Sequence, residues 1–591
     1  MENVKILPEL LEKVIRKNGV SKQFSYRQDE QWKSLSSDEF YRAVRSLTAG
    51  LLDLGLERGE GVGILATPSP HWLMFDLATM LAGGISIPMF PNISDDNFQF
   101  EVKDADIRYL FADHPQSLTG HKVSSHSFKK IVYLSSAQKG TGSLAFRDLI
   151  QEGENYQRKH PEFFSQALAQ IRENDLCTII YTSGSTGPPK GVELTHRNLV
   201  SQIKGARIRF PMDPQSDVML SCLPLAHIFE RMVIYFYLST GCPIYIADDI
   251  KKVGDYLRDV HPTVLTLVPR LLEKVFAKMR ANVQQAQGIK KMLAGSGFRR
   301  ACELPPHQAS RGLLGKILDH LVYAKMRQAL GGRLRLVISG SAPMPKHLGQ
   351  YFLNIGLSLY EGYGLTEASP VLSVNFPDHN RLGTVGPIFP DVEIKISGEG
   401  EILARGPNIM RGYHNNPAET RKVIDEQGWL HTGDKGKLDD EGYLTITGRF
   451  KELFKTSTGK YVSPIPIEQT LCTHEFVDMA FVIAEGRKFV SCLLFPNFEN
   501  LKQYQIKHGF ADLTEASFLK SDFIRKEMEN LLARVNQSLN HWEQVQKFYI
   551  VPVPLAIETG ELTPTMKIRR HVVEEKFKKV IEEMYKEDDE G

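Results

Sequence analysis

The chain has 591 residues, of which 42% are hydrophobic and 24% charged. This composition supplies a large buried core, so it excludes global disorder and argues against a lone interaction module. Its 72 Lys and Arg residues nearly balance 70 Asp and Glu residues, which leaves a net charge of +2. A nucleic-acid partner is therefore not expected. Six cysteines without a C-x-x-C pair disfavour a disulfide scaffold and a structural zinc site.

The N-terminal stretch has charges throughout and no apolar segment typical of a secretory signal. Its residues LLEKVIRK (10–17) favour an ordinary surface helix over one that touches a bilayer. The pattern at 36–56 predicts a helix, and the apolar runs at 61–68 and 83–90 predict strands. This alternation continues to about residue 375 and predicts parallel strands joined by crossover helices.

The longest uncharged apolar run spans 232–247 and is interrupted by Gly241 and Pro243. Its 16 residues are fewer than the roughly 20 that a membrane-spanning helix needs. The Gly-Cys-Pro break instead predicts a helix followed by a strand.

Shorter, glycine-rich strand patterns begin near residue 383 and include VEIKIS and GEILARG. The predicted fold class is therefore α/β, with a large N-terminal domain of parallel α/β sheets over 1–448. A β-rich subdomain is predicted at about 383–448, and a smaller α+β domain at 449–591.

A buried strand, LCTIIY (176–181), leads into TSGSTGPPKG (182–191). Glycines and hydroxyl side chains in such a loop can approach phosphate oxygens closely. A Walker A loop is excluded because Lys190 stands between Pro189 and Gly191, and G-x-G-x-x-G spacing also fails. A flexible surface loop is the alternative for this segment alone.

Six further segments follow in order along the chain. The seven in all are YTSGSTGPPKGVELTHRN (181–198), LPLAHIFER (223–231), SGSAPMP (339–345), YEGYGLTEAS (360–369), GWLHTGDKG (428–436), GRFKELFKTSTGKYVSP (448–464) and LTPTMKIRR (562–570). Over nearly its whole length the chain thereby resembles the adenylate-forming superfamily. Within it, LVYAKMRQALGGRLRLVISGSAPMP and GRFKELFKTSTGKYVSPIPIE are most similar to long-chain fatty acyl-CoA synthetases.

The resemblance implies ATP-dependent activation of a long-chain fatty acid through an acyl-AMP intermediate, followed by transfer to CoA and release of AMP and pyrophosphate. The implied cofactors are ATP and Mg²⁺, with CoA as co-substrate. Two alternatives stay open: transfer to an acyl carrier protein, and a non-catalytic nucleotide- and lipid-binding relative. The implied location is cytoplasmic, with peripheral contact to the cytosolic face of a membrane left open. Oligomeric state and acyl chain length are not determined by the sequence.

The resemblance also assigns residues to roles. Thr366 would contact phosphate, Glu367 would hold Mg²⁺, and Lys567 would bridge the substrate carboxylate and the α-phosphate. His227 would be a positioning residue near the carboxylate, although His227 and Glu230 could also form a metal pair. The remaining nucleotide or CoA contacts would come from Thr182, Ser183, Gly184, Ser185, Thr186, Gly187, Lys190, Gly340, Ser341, Ala342, Tyr363, Gly364, Asp434, Arg449 and Gly459.

Among these, Tyr363 is expected to stack on the adenine, and Asp434 to accept the ribose hydroxyls with Arg449 beside it. The C-terminal domain would be mobile and would rotate about a hinge at Lys451. That rotation would bring the TSTGKY stretch to the active site, where Gly459 would leave room for the thiol arm.

One rival motif is HWLMFD (71–76), which fits the H-x-x-x-x-D pattern of glycerolipid acyltransferases. The stretch that follows it predicts a helix turning into a buried strand, which favours a structural segment over a catalytic His-Asp pair.

Overall fold

The computed structural model describes residues 4–123, 127–135, 142–182, 189–450, 454–498, 500–556, 559–563 and 568–586. The chain divides into two compact units. The N-terminal unit comprises 1–397, 403–432 and 438–445, and the C-terminal unit comprises 398–402, 433–437 and 446–591.

The strands are β1 Phe24–Gln28, β2 Gln31–Leu35, β3 Gly61–Leu65, β4 Ile85–Met89, β5 Ile107–Ala112, β6 Lys130–Tyr133, β7 Leu144–Ala145, β8 Leu176–Thr182, β9 Lys190–Thr195, β10 Met219–Ser221, β11 Ile244–Ile246, β12 Val264–Leu267, β13 Leu336–Ser339, β14 Leu359–Gly364, β15 Val371–Val374, β16 Glu393–Ile396, β17 Glu401–Arg405, β18 Gly412–Tyr413, β19 Leu430–Leu438, β20 Leu444–Arg449, β21 Phe454–Lys455, β22 Tyr461–Val462, β23 Val477–Ile483, β24 Val490–Pro496 and β25 Val545–Ile550.

The α-helices are α1 Arg16–Asn18, α2 Ser37–Asp53, α3 Pro70–Leu81, α4 Asp95–Asp104, α5 Phe146–Lys159, α6 Phe163–Gln170, α7 His196–Arg209, α8 Ile228–Thr240, α9 Val253–Val260, α10 Pro269–Gln285, α11 Gly288–Glu303, α12 Gly312–Leu318, α13 Ala324–Gln328, α14 Lys346–Asn354, α15 Pro417–Val423, α16 Pro464–Leu471, α17 Leu501–Lys507, α18 Glu515–Leu519, α19 Asp522–Asn536, α20 Arg570–Lys576 and α21 Lys578–Lys586. Two π-helical turns, Leu11–Ile15 and Asp319–Tyr323, precede α1 and α13.

Two eight-stranded sheets organise the N-terminal unit. The first has the order β15-β14-β13-β12-β10-β11-β1-β2, with a parallel centre and an antiparallel strand at each edge. The second has the order β18-β9-β8-β4-β3-β5-β6-β7, and its strands from β8 to β7 are parallel. The predicted α/β class with crossover helices is confirmed, because parallel neighbours require such connections.

A four-stranded sheet, β16-β17-β19-β20, contains the strands predicted from VEIKIS and GEILARG. A three-stranded sheet, β23-β24-β25, forms the centre of the C-terminal unit with helices α16 to α21. Its buried residues form clusters of their own, so this unit has a separate hydrophobic core. The boundary at residue 449 stays a prediction.

Local sequence signals account for individual elements. The predicted helix at 36–56 forms as α2, which begins with a capping box in which the Ser36 side chain accepts from the Glu39 amide and the Glu39 carboxylate accepts from the Ser36 amide. The apolar run at 232–247 divides as predicted into α8 and β11. Gly241 ends α8 with φ +78°. No helix among the described residues is long and apolar enough to cross a membrane.

The 10–17 stretch does not offer an apolar face to a bilayer. Leu10, Leu11, Val14 and Ile15 are all buried in the main core. Only the charged side of this segment faces solvent, which confirms the ordinary surface helix that the sequence favoured.

Candidate functional site

Four of the seven sequence segments follow the carboxyl ends of parallel strands. His227 comes after β10, the 340–342 segment after β13 and Thr366 after β14, all in the first sheet. In the second sheet, Thr182 is the last residue of β8, and residues 183–188 come next in the sequence. Because the carboxyl ends of parallel strands lie at one edge of a sheet, the three segments of the first sheet lie at a common edge.

Glu367 lies in a short 3₁₀ turn, Thr366–Ala368, directly after β14. The Tyr413 hydroxyl donates to Glu367 Oε1 at 2.8 Å, and the Met410 amide donates to the Glu367 backbone oxygen at 2.8 Å. Burial and the neighbouring Glu367 charge raise the pKa of Tyr413, so this tyrosine stays protonated and keeps donating. The carboxylate is therefore held in place by a residue that the sequence did not single out.

Lys190, the first residue of β9, lies over the ring of the same Tyr413. Its Nζ is 5.1 Å from the centre of the Tyr413 ring and 2.5 Å from Glu419 Oε2. The Lys190 hydrogen bond and charge lower the pKa of Glu419 to about 2. Thr182 ends the partner strand and donates from Oγ1 to the Lys190 backbone oxygen at 3.4 Å. Tyr413 therefore contacts both Glu367 and Lys190, and Lys190 in turn is bound by Thr182 of the neighbouring strand.

Tyr413 and Glu419 are functional candidates that sequence reasoning missed. Tyr413 sits on β18, which pairs with β9, and Glu419 lies in the first turn of α15. The Asn416-Pro417 pair was a readable signal for the start of that helix. No sequence signal indicates that its first turn meets Lys190.

Gly340, Ser341 and Ala342 follow β13, beside the predicted adenine residue on β14. A Cβ on Gly340 would lie 3.5 Å from the Phe229 ring and 3.6 Å from the Gly362 oxygen, so α8, β13 and β14 approach here. Ser341 has φ +69°, a left-handed conformation. The structure brings this loop next to the strand that carries Tyr363.

Gly364 is required by packing. Its strand has an irregular register at Tyr363 and Gly364, where β14 meets β15. A Cβ on Gly364 would lie 1.9 Å from the Pro370 backbone oxygen, a distance no side chain can adopt. The glycine therefore allows the turn before Thr366 to fold back onto β15.

His227 and Glu230 do not form a metal pair. His227 caps α8, and its Nδ1 accepts from the Phe229 amide at 3.2 Å. Glu230 points into the core, where it accepts from Ser221 Oγ at 2.5 Å and from Thr266 Oγ1 at 2.9 Å. Burial raises the pKa of Glu230 to about 7. The metal-pair alternative is wrong because the Glu230 carboxylate is buried in the core and hydrogen-bonded to Ser221 and Thr266.

Asp434 and Arg449 form an ion pair within the C-terminal unit. Arg449 Nε lies 2.6 Å from Asp434 Oδ1, and the aspartate side chain is 3% exposed. They stand on the adjacent strands β19 and β20. The structure thus brings these two predicted nucleotide residues together.

The remaining residues of the C-terminal unit are placed only in part. Gly459 lies in the turn between β21 and β22 with φ +80°, and its amide donates to the Thr456 oxygen at 2.9 Å. Lys567 and the hinge residue Lys451 lie outside the described residues. So do Ser183, Gly184, Ser185, Thr186 and Gly187 of the phosphate loop.

The acyltransferase-like motif is part of the core. His71 is packed edge-on against the rings of Tyr26 and Phe146, and burial lowers its pKa to about 4. Asp76 accepts from Arg231 Nε at 3.0 Å and from its Nη2 at 2.6 Å. Because the Asp76 carboxylate is hydrogen-bonded to Arg231 and His71 is packed among aromatic rings, His71 and Asp76 do not form a catalytic pair.

Magnesium fits the donors present at Glu367. Mg²⁺ prefers hard oxygen ligands and binds through one or two carboxylates together with substrate phosphates. Glu367 offers one oriented carboxylate, and Thr366 precedes it in the same 3₁₀ turn. No group of three or more His, Cys, Asp or Glu residues in the described part of the chain could hold a metal alone. A cation here would be held jointly with a nucleotide.

Two family models match the chain. One described as AMP-binding enzyme covers residues 11–414, and one described as AMP-binding enzyme C-terminal domain covers 452–589.

Curated relatives match over nearly the full length. The long-chain-fatty-acid–CoA ligase FadD15 of Mycobacterium bovis is 33% identical, with 94% of this chain and 93% of that protein covered. Long-chain-fatty-acid–CoA ligase 6 of Mus musculus is 30% identical over 94% of this chain and 83% of its own. The human ligase ACSBG2 is 29% identical over 98% and 92%.

Solved structures share the fold at lower identity. The adenylation domain of a carboxylic acid reductase from Segniliparus rugosus, in complex with AMP and a carboxylic acid, is 19% identical with a TM-score of 0.74, and 98% of this chain and 94% of that one are covered. The anthranilate CoA ligase AuaEII with anthranoyl-AMP is 19% identical with a TM-score of 0.70, and 97% of each chain is covered.

Proposed function

The chain belongs to the AMP-binding enzyme family and to its long-chain acyl-CoA synthetases, and from this premise we propose that it joins a long-chain fatty acid to CoA in an ATP-dependent reaction. The observation that carries the proposal is the 33% identity to a long-chain-fatty-acid–CoA ligase over 94% of the chain. Transfer to an acyl carrier protein is less favoured, because the named relatives are CoA ligases.

The chemistry proceeds in two displacements. A carboxylate oxygen of the fatty acid attacks the α-phosphorus of ATP, and pyrophosphate leaves. The CoA sulfur then attacks the acyl carbon, and the bond from that carbon to the AMP oxygen breaks. Both steps bring anions together, so the site must position them and neutralise charge.

We assign phosphate binding to the loop after β8, with Lys190 at its end. The contact of Lys190 with Tyr413 supports a location near Glu367. Glu367 would hold Mg²⁺ together with the nucleotide phosphates, and Thr366 would contact a phosphate oxygen. Bound there, the ion would supply charge neutralisation on the phosphates.

The adenine would stack on Tyr363 along the 340–342 backbone, which the approach of β13 and β14 supports. Asp434 would accept the ribose hydroxyls, held in place by Arg449. His227 would position the substrate carboxylate from the start of α8. Lys567 is assigned to adenylation, and Gly459 to passage of the thiol arm.

Exchange of labelled pyrophosphate into ATP, measured with fatty acids of increasing chain length, tests the adenylation step. We expect exchange that depends on a long-chain fatty acid and that Glu367→Gln depresses strongly, while the exposed Glu173→Gln leaves it unchanged. Absence of exchange at every chain length would overturn the proposal and favour a non-catalytic binding protein.

A second assay identifies the acceptor. CoA and a holo-acyl carrier protein are offered side by side with the same fatty acid and ATP. Thioester formation on CoA supports the ligase, whereas product on the carrier protein alone would reassign the acceptor.

A further inference from the structure

The helices α11 and α12, together with the π-helical turn Asp319–Tyr323, expose a concentration of large apolar side chains. Fourteen large hydrophobic residues are exposed among the described residues, and six of them lie in 289–321. These six are Ile289, Met292, Leu313, Leu314, Ile317 and Leu321, with exposed fractions from 42% to 81%. A grouping of this kind marks an interaction surface, whereas single exposed hydrophobics do not.

These six apolar side chains are not covered by packing within the N-terminal unit. Leu314, Ile317 and Leu321 are spaced at helical intervals and share one side of the helix. The adjacent positions Leu318 and Val322 are buried and supply the inner contact. The helix therefore has an inner apolar face against the core and a second apolar face toward solvent.

This region is also strongly basic. Residues 288–325 contain seven Lys or Arg residues and two acidic ones, a local charge of 7 − 2 = +5 in a chain whose total is +2. The seven are Lys290, Lys291, Arg299, Arg300, Arg311, Lys316 and Lys325. All except Arg300 are exposed. One of the acidic residues, Asp319, is paired with Arg327 at 2.8 Å.

The surface is held in a fixed form. Arg300 donates to the backbone oxygens of Ala309 at 2.8 Å and Arg311 at 3.2 Å, which ties α11 to the start of α12. The Tyr323 hydroxyl donates to the Gly297 oxygen at 2.9 Å. Little ordering would therefore accompany binding.

A groove of about 390 Å³ between α10 and α11 has the same mixed chemistry. Phe276, Val283 and Phe298 line it, together with Arg280 and Arg299. Its mostly apolar walls suit an apolar chain, and Arg280 and Arg299 add positive charge to its lining.

We propose that this basic–apolar face, comprising the six apolar residues and the six exposed basic residues named above, docks the protein onto an anionic lipid bilayer. The inference rests on the proposed function in one respect: a long-chain fatty acid partitions into lipid, so a docked enzyme would meet its substrate. The apolar side chains insert at the boundary of the acyl region, while the Lys and Arg side chains contact lipid phosphates.

Co-sedimentation with vesicles tests the face without any turnover. Vesicles of phosphatidylcholine are compared with vesicles in which about a third of the lipid is phosphatidylglycerol, at low and high salt. We expect binding to the anionic vesicles that weakens with salt, since salt screens the attraction. The Lys290→Glu/Lys291→Glu variant should bind at least about 25-fold more weakly, because it removes two basic residues and the loss of each is expected to weaken binding about fivefold.

The Leu314→Ser/Ile317→Ser variant should lose vesicle binding while its circular dichroism and its pyrophosphate exchange, with fatty acid delivered on albumin, stay unchanged. Matched controls are Ile506→Ser and Lys520→Glu/Lys526→Glu, which alter exposed residues elsewhere and should bind as the unchanged chain does. The proposal would be overturned if the control variants lost vesicle binding equally, or if vesicle binding did not depend on lipid charge. It would also be overturned if the protein were a dimer that Leu314→Ser/Ile317→Ser dissociates.

As a second measurement, Ile317→Trp should show a blue-shifted emission with anionic vesicles and quenching by brominated lipid. An unshifted spectrum at saturating vesicles would contradict insertion of this face. Failure of pyrophosphate exchange alongside intact vesicle binding would count against the proposed function and not against the docking face.

Discussion

At the scale of single residues, the orientation of Glu367 depends on one hydroxyl. Tyr413 donates to Glu367 Oε1 at 2.8 Å and also underlies Lys190 Nζ at 5.1 Å. A partner that orients a metal-binding carboxylate typically contributes tenfold to hundredfold to metal affinity.

Tyr413→Phe should therefore raise the Mg²⁺ concentration needed for half-maximal pyrophosphate exchange by about tenfold or more. The measurement is a Mg²⁺ titration at fixed ATP and fatty acid. Tyr549→Phe, at an exposed tyrosine, is the control and should not shift the titration. An unchanged midpoint in Tyr413→Phe would contradict a role of the Tyr413-oriented Glu367 carboxylate in Mg²⁺ binding.

A second residue-scale prediction concerns Glu101 on α4. Burial raises the pKa of this carboxyl from 4.5 to about 8, so the folded state binds its proton more tightly than the unfolded chain. The resulting stability is full below about pH 4.5 and is lost as the pH rises through about 8, on the order of a few kcal/mol.

Glu101→Gln mimics the protonated form, so its thermal midpoint should exceed that of the unchanged chain near pH 9 and match it more closely near pH 5. Differential scanning calorimetry at the two pH values measures this. Glu173→Gln, at an exposed site, should change neither midpoint. A pH-independent difference would show that Glu101 does not titrate in this range.

At the scale of elements, one buried ion pair connects three of them. Arg231 on α8 donates to Asp76 on α3 and, through Nη1, to Thr178 Oγ1 on β8 at 2.6 Å. Both charged side chains are 0% exposed. The pair therefore fixes the helix that starts at His227 against the strand that leads into the phosphate loop.

Asp76→Asn should lower the free energy of unfolding by about 3–5 kcal/mol, because it leaves the Arg231 charge buried without its counterion. Urea unfolding followed by tryptophan fluorescence measures the change. Asp38→Asn breaks the exposed pair with Arg42 and should cost less than about 1 kcal/mol. Similar costs for both variants would contradict a structural role for the buried pair.

At the scale of the whole molecule, the two half-reactions are predicted to need different residues of the C-terminal domain. Lys567→Ala should abolish acyl-AMP formation and spare thioester formation from supplied acyl-AMP. Lys451→Pro should leave adenylation largely intact and depress transfer to CoA, because a fixed hinge opposes rotation. Each half-reaction is assayed separately, with Lys578→Ala as a surface control. Equal loss of both half-reactions in either variant would contradict the assignment.

The local elements were predictable because their signals are local. The helical pattern at 36–56, the break at Gly241 and the apolar runs of β3 and β4 predicted elements that the structure contains. The segments around Thr366 and Asp434 were identified differently, by their resemblance to segments of a known family. The pairing of Asp434 with Arg449 was also anticipated from the resemblance.

Contacts across long sequence separations were not predictable in the same way. Tyr413 reaches Glu367, and Glu419 reaches Lys190, only because β18 pairs with β9. The alternative of Glu230 as a metal ligand beside His227 was open from the sequence, and the structure instead turns the Glu230 side chain to Thr266 in the core. Helix periodicity gives the face of a residue but not the strand or helix that this face meets.

The sequence alone determined the family, the α/β architecture and the set of polar segments that are predicted to handle a carboxylate and a triphosphate in a chain with a net charge of only +2. The tertiary structure decided which of those side chains meet, which carboxylates are buried and which apolar residues stay exposed. The physical reason is that composition and spacing act along the chain, whereas burial and pairing are set by strands and helices that are distant in sequence.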